Sequence, residues 1–139
     1  MTEMITEKSV VVETVPKRSN RSFQFYIRND KGFPIACVAV EPGLEDNEGW
    51  YALGISVHNP VDRFNRSMAR NIACGRAKTL VNQPNRAHTR EPNMSAWCEL
   101  DEGPTPNPTV ASVARTLRLF NEEGVIDLPT RVVKALAKY

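Results

Sequence analysis

The chain has 139 residues, 41% hydrophobic and 24% charged, a globular composition sized for one domain over residues 1–139 and long enough to bury a core without staples. Its net charge of +2 is too small to mark a nucleic-acid binder by itself. Three cysteines, odd in number and widely spaced at Cys37, Cys74 and Cys98, exclude a disulfide framework and read as reduced thiols.

In chain order, the first half reads as antiparallel β. Val10 to Val15 is β-branched and apolar, and Lys17 to Arg21 is a basic connector. Ser22 to Arg28 alternates, with Phe23, Phe25 and Ile27 on one face and Gln24 and Tyr26 on the other. Asn29-Asp30-Lys31-Gly32 is a turn in which Gly can take a positive φ. Ile35 to Val40 is almost wholly apolar, the mark of a central strand, and Pro42 to Gly49 is an acidic loop. Trp50 to His58 places Tyr51, Leu53, Ile55 and Val57 on one face and Trp50, Ala52, Gly54, Ser56 and His58 on the other.

Asn59-Pro60 then predicts a helix start, because Asn is a favoured cap and Pro a favoured first helical residue. Asp62 would fall in the first turn, where a negative charge suits the helix dipole. The helix is predicted over about Val61 to Leu80, with Val61, Phe64, Met68 and Ile72 as its core-facing stripe. Gly75 weakens it by about 1 kcal/mol relative to Ala and points to a bend or a close packing contact. Val81 to Pro92 is polar, Met94 to Leu100 suits a short strand containing Trp97, and Asp101 to Pro108 is a proline-rich loop. Asn107-Pro108 repeats the cap signal ahead of a helix over Thr109 to Glu122 that buries Val110, Val113, Ala114 and Leu117 and stops at Gly124. Pro129 opens a last short helix carrying Val132, Val133 and Leu136. The expected class is α+β: an antiparallel sheet of four to five strands packed by two or three helices.

From Arg63 to Arg90 there is no acidic residue, while the window holds Arg63, Arg66, Arg70, Arg76, Lys78, Arg86 and Arg90. Much of the acid lies elsewhere, at Glu41, Glu45, Asp46, Glu48, Asp101 and Glu102. On a helix, Arg63, Arg66 and Arg70 would share one face, and their repulsion, a few tenths of a kcal/mol per pair, has no acidic offset within the segment. Two readings stay open: a solvated face paired with the acidic loop Glu41 to Glu48, or a site for a bound anion, for which Arg offers bidentate contacts. Trp50 and Trp97 are core residues or stacking platforms for a base. Arg115 and Arg118, on the exposed side of the second predicted helix, could join the His88/Arg90 stretch in a positive pocket.

Catalysis finds little support. His58 and Asp62 form a possible acid–base pair with Ser56 or Cys74 as nucleophile, but nothing orders them into a triad. Two histidines and scattered cysteines lack metal-ligand spacing, and neither phosphate-binding glycine loop is present. No catalytic residue, metal or cofactor is expected. Met1 to Lys8 lacks signal-peptide character and no apolar run reaches the ~20 residues that span a bilayer, so a cytoplasmic location without membrane contact is expected.

The segment Trp50-Tyr51-Ala52-Leu53-Gly54-Ile55-Ser56-Val57-His58-Asn59-Pro60-Val61-Asp62-Arg63-Phe64-Asn65-Arg66, leading into Ile72-Ala73-Cys74-Gly75-Arg76-Ala77, resembles small phage proteins. In these a strand is followed by a Pro-x-Asp-x-Phe cap and a helix ending in Ala-x-Gly-Arg-Ala. The family suggested is the first Thoeris anti-defence sponge family, and the likeness spans about Trp50 to Leu80. It implies a compact α/β homo-oligomer in the host bacterial cytoplasm that sequesters cyclic ADP-ribose signals without cleaving them, so that an NAD-consuming immune effector stays off. Some members also bind cyclic oligonucleotides at a separate site. The expected ligand residues are Arg63, Arg66 and Arg70, with Trp97, Arg115 and Arg118 as candidates for the Arg and aromatic contact that the C-terminal third should supply. Against this stand a nucleic-acid-binding protein, which the acidic loop opposes, and an inhibitor that grips a host protein through the basic helix.

Overall fold

The computed structural model describes residues 22–44, 49–82, 94–99 and 108–139. The expected strand at Val10 to Val15, the acidic residues Glu45, Asp46 and Glu48, and the basic residues Arg86, His88 and Arg90 lie outside them.

Four strands form one antiparallel sheet in chain order: β1 (Phe23–Arg28), β2 (Pro34–Pro42), β3 (Tyr51–Val57) and β4 (Ser95–Cys98). The β1–β2 turn forms as its residues dictate. The Asn29 side-chain oxygen accepts from the amides of Lys31 (2.9 Å) and Phe33 (3.0 Å), and Gly32 takes φ +84°. Central β2 pairs Ala39 with Gln24 on one side and with Gly54 on the other.

Alternation gives the sheet two different faces. One carries Ile27, Ala36, Val38, Val40, Tyr51, Leu53, Ile55 and Cys98, all buried beneath α2 (Val110–Glu122) and α3 (Thr130–Leu136). The other carries Cys37, Ala39 and Ala52, beneath α1 (Arg66–Asn82). The result is a helix–sheet–helix sandwich, an α+β architecture of four strands and three helices among the described residues. None of these helices is long and apolar enough to cross a membrane.

The caps of α2 are built by sequence. Its N-cap is Thr109 rather than the predicted Asn107-Pro108 pair, with a reciprocal box in which the Thr109 hydroxyl accepts from the Ser112 amide (3.1 Å) and the Ser112 hydroxyl accepts from the Thr109 amide (2.9 Å). At its end Gly124 has φ +78°, and the amides of Val125 and Gly124 donate back to Phe120 O (2.9 Å) and Asn121 O (3.3 Å). That left-handed closure is the one glycine permits. Val113, Ala114 and Leu117 are buried as expected, while Val110 is half-exposed. The last helix places Val132 and Leu136 in the core.

The first helix departs from expectation in both its start and its buried face. It begins at Arg66, not Val61. Asn59 forms a turn instead: its side-chain oxygen accepts from the Val61 amide (3.1 Å) and its carbonyl from the Asp62 amide (3.0 Å). The capping asparagine is Asn65, whose side-chain oxygen accepts from the Met68 amide at 2.9 Å. Of the predicted stripe only Phe64 packs against the core: Val61 is 86% exposed and Met68 58%, and Ile72 is exposed. Ala69, Ala73, Ala77 and Leu80 are buried in its place.

The reason is a steric one at Gly54. A Cβ there would overlap the carbonyl oxygen of Ala73 and the amide nitrogen of Ala77. Backbone packs against backbone, and around this contact the buried helix residues are the alanines Ala69, Ala73 and Ala77. Gly75, by contrast, has open space where its Cβ would sit, so the expected packing contact is absent and the helix runs through it unbroken.

These two glycines give opposite predictions. Gly54→Ala drives a methyl into backbone that cannot rotate away, and should lower stability by about 3 kcal/mol or more. Gly75→Ala meets nothing and should raise it by about 0.5–1 kcal/mol through helix propensity. Urea unfolding of the two variants against the parent protein checks both signs.

A candidate anion site on the first helix

The four-residue spacing of a helix stacks Arg66, Arg70, Cys74 and Lys78 in one row along α1. Met68 and Ile72 lie on the opposite flank, where Arg76 reaches back and donates from Nη1 to the Ile55 carbonyl of β3. The helix contains no Asp or Glu at all.

Each member of the row meets a different neighbour. The Arg66 guanidinium lies 5.6 Å from the centre of the Tyr26 ring, a cation–π contact worth about 0.5–1 kcal/mol at an exposed position. The Tyr26 hydroxyl donates to the Arg66 carbonyl at 3.4 Å. Phe64 meets Tyr26 edge-on at 6.1 Å and His58 edge-on at 5.1 Å, so three rings surround the start of α1. Arg131 of α3 donates to the His58 carbonyl at 2.6 Å. Arg70 and Cys74 stand near Cys37 of β2; burial, and then the Cys74 charge, push the Cys37 thiol up to about 11, while Arg70 pulls it down. At the far end Lys78 stands near Glu41, whose carboxyl is raised by burial and drawn back by that lysine.

The expected ligand set is only partly assembled. Arg66 and Arg70 share the row as expected, both exposed. Arg63 is exposed in the turn before α1, off the helix that was to align it with them. Trp97 is half-buried on β4, packed against the alanine cluster. It lies at the opposite edge of the described sheet from Tyr26, three strand spacings or about 14 Å away. Arg115 and Arg118 belong to α2, so the sheet separates them from the α1 row within one chain. Arg115 is exposed; Arg118 is half-buried, and among the described residues its Nε has no hydrogen-bond partner.

Ser56 is buried on β3, His58 packs its ring on Phe64, and Asp62 is exposed in the Asn59 turn. Among the described residues no group of His, Cys, Asp and Glu is arranged to hold a metal ion.

Tyr26 is the neighbour of the row that the sequence does not reveal, whereas Phe64 falls in the predicted core stripe and Glu41 in the acidic loop that could face the arginines. Tyr26 was placed correctly on the face opposite Phe25, yet nothing local says that this face lies beneath the start of α1. Compared with known proteins, the chain matches no family model, no curated protein and no solved structure.

The three thiols should differ in reactivity. Burial pushes Cys98 up to about 12 and Cys37 to about 11 from 9.0, whereas Cys74 is only partly buried. Iodoacetamide followed by peptide mass mapping should therefore modify Cys74 first. The raised thiols also set a pH dependence. Between 9.0 and about 11 to 12 the unfolded chain sheds protons that the folded chain retains, so this stability is complete below pH 9.0 and is lost as pH rises through that window. Urea midpoints should fall across it, and less steeply in Cys98→Ala.

Proposed function

We propose that the protein binds a compact phosphorylated small molecule along the Arg66–Arg70 end of α1 and retains it without chemical change. The observation that carries this reading is the pairing of two exposed arginines, in a helix free of acid, with an aromatic cluster at its start. Arg66 is oriented by the Tyr26 ring, which leaves its N–H edges to donate to an anion. A phosphate group suits two guanidinium groups about 6 Å apart along the helix. The rings of Tyr26, Phe64 and His58 offer apolar surface to a base or sugar beside it.

The likeness of the Trp50 to Leu80 segment to anti-defence sponge proteins narrows the ligand to a cyclic ADP-ribose-like signal, held in the host cytoplasm by a homo-oligomer of a phage protein. A sponge needs affinity and no reacting groups, so Ser56, His58 and Asp62 are read as structural.

Calorimetry with cyclic ADP-ribose isomers tests the reading. Binding is expected, with the ligand recovered intact when the protein is denatured. Arg66→Ala and Arg70→Ala should each cost about tenfold or more in affinity, the scale of one charged hydrogen bond. Bound ligand should also shield Cys74, which stands next to Arg70 in the row, from alkylation. Absence of heat with every isomer, or recovery of a cleaved product, sinks the proposal. Arg115→Ala should leave affinity unchanged. A loss there would instead mean that two copies share the pocket, because one chain cannot present both faces of its sheet to a small ligand.

A further inference from the structure

We infer that the apolar flank of α1 and the acidic end of α2 are the two halves of one contact, through which copies of this chain join head to tail. The inference rests on the homo-oligomer named in the preceding proposal and not on its ligand.

Large apolar side chains at a surface carry meaning only where they gather. Val61, Met68 and Ile72 are 86%, 58% and 39% exposed. Met68 and Ile72 are four residues apart, so they stack on one flank of α1. That flank is not the one that carries Arg66 and Arg70, and covering it leaves them open. On the other side of the sheet, Leu119 and Val125 are exposed as well. The Val125 amide donates to the Phe120 carbonyl at 2.9 Å, which folds the chain beyond Gly124 back onto the last turn of α2. Leu119 and Val125 therefore sit at the same end of that helix.

Charge pairs these two surfaces with each other. From Arg63 to Asn82 the chain carries Arg63, Arg66, Arg70, Arg76 and Lys78 and no acid. From Asn121 to Asp127 it carries Glu122, Glu123 and Asp127 and no base, and all three acids are exposed. Arg115, exposed one turn before Leu119, confines the acidic surface to the end of α2. Among the described residues none of the three acids enters an ion pair. Because α1 covers one face of the sheet and α2 the other, the two surfaces cannot meet within a chain. Between chains they can, apolar against apolar and acid against base. A symmetric α1–α1 contact would instead bring two acid-free, cationic helices together. A head-to-tail contact leaves one half of each kind unused on every pair, so it repeats, closing into a ring or extending as a chain.

The test is light scattering after size exclusion on the purified full chain, over a range of protein and salt concentrations. The parent protein should show a mass of two or more chains that falls as salt is raised. Met68→Glu sets an acid against the acidic end of the next copy, and Glu122→Lys/Glu123→Lys reverses that end. Each should weaken self-association by about tenfold or more, the scale of a central interface residue. Both changes suit the helix dipole, an acid in the first turn of α1 and bases at the end of α2, so the fold is kept and circular dichroism should be unchanged. Mixed in equal amounts, the two variants should form one-to-one pairs, because the first retains the acidic end and the second the apolar flank. A parent oligomer that survives either variant, or variants that stay monomeric when mixed, overturns the inference and leaves a homo-oligomer built through other surfaces. A monomeric parent protein overturns both the inference and the homo-oligomer, while ligand binding is judged separately by the calorimetry above.

Discussion

The close approach of α1 to the sheet at Gly54 is the constraint from which the rest of this face follows. Because backbone meets backbone there, the buried residues around the contact are the small Ala69, Ala73 and Ala77, with Leu80 buried in the last turn. Alanine buries little apolar area, so this layer adheres mainly through dense van der Waals contact. The opposite layer works differently. Tyr51, Leu53, Ile55, Leu117, Ile126 and Leu136 are all fully buried there and supply the larger hydrophobic term. The two faces of one sheet are thus held by different physics, and the α1 face is the one intolerant of a single added methyl group.

The alanine contact beneath α1 also shapes its exposed surface. Met68 and Ile72 are turned to one flank, and Arg66, Arg70, Cys74 and Lys78 to the other. The second flank lies over Tyr26, Cys37 and Glu41, so the cations sit above an aromatic ring, a thiol and a carboxylate in that order. An acid-free helix would be expected to present uniform positive charge. Its neighbours differ along its length: the Tyr26 ring lies by Arg66, and the half-buried Glu41 carboxyl feels the charge of Lys78.

The C-terminal layer reaches the same region from behind the sheet. The Tyr139 hydroxyl accepts from the Arg28 amide at 3.0 Å and donates to the Tyr26 carbonyl at 3.4 Å, while Lys138 donates to the Arg28 carbonyl at 2.9 Å. These bonds fix the backbone of β1, an edge strand of the described sheet, at the residue whose ring supports Arg66. The orientation of the candidate site therefore depends on residues more than a hundred positions away in sequence.

What the sequence determined by itself was local or strictly periodic. Alternation in Ser22 to Arg28 and Trp50 to His58 gave the correct faces, since a period of two assigns every side chain once the strand exists. The Asn29–Gly32 turn and the Gly124 stop followed from backbone freedom at single residues, and the absence of acid in α1 was plain. What only the tertiary structure decided was anything that depends on the distance between two elements. Met68 and Ile72 carry the stronger hydrophobic signal, but near Gly54 the helix lies so close to the sheet that alanines take the buried positions instead. Asn59-Pro60 carries the cap signal, yet Asn65, six residues on, caps the helix. The partners of Arg66, Arg70 and Lys78 come from β1 and β2, which no spacing within the helix could reveal. The same sheet parts Arg115 and Arg118 from them, because strand alternation shows that a sheet has two faces but not which helix covers each.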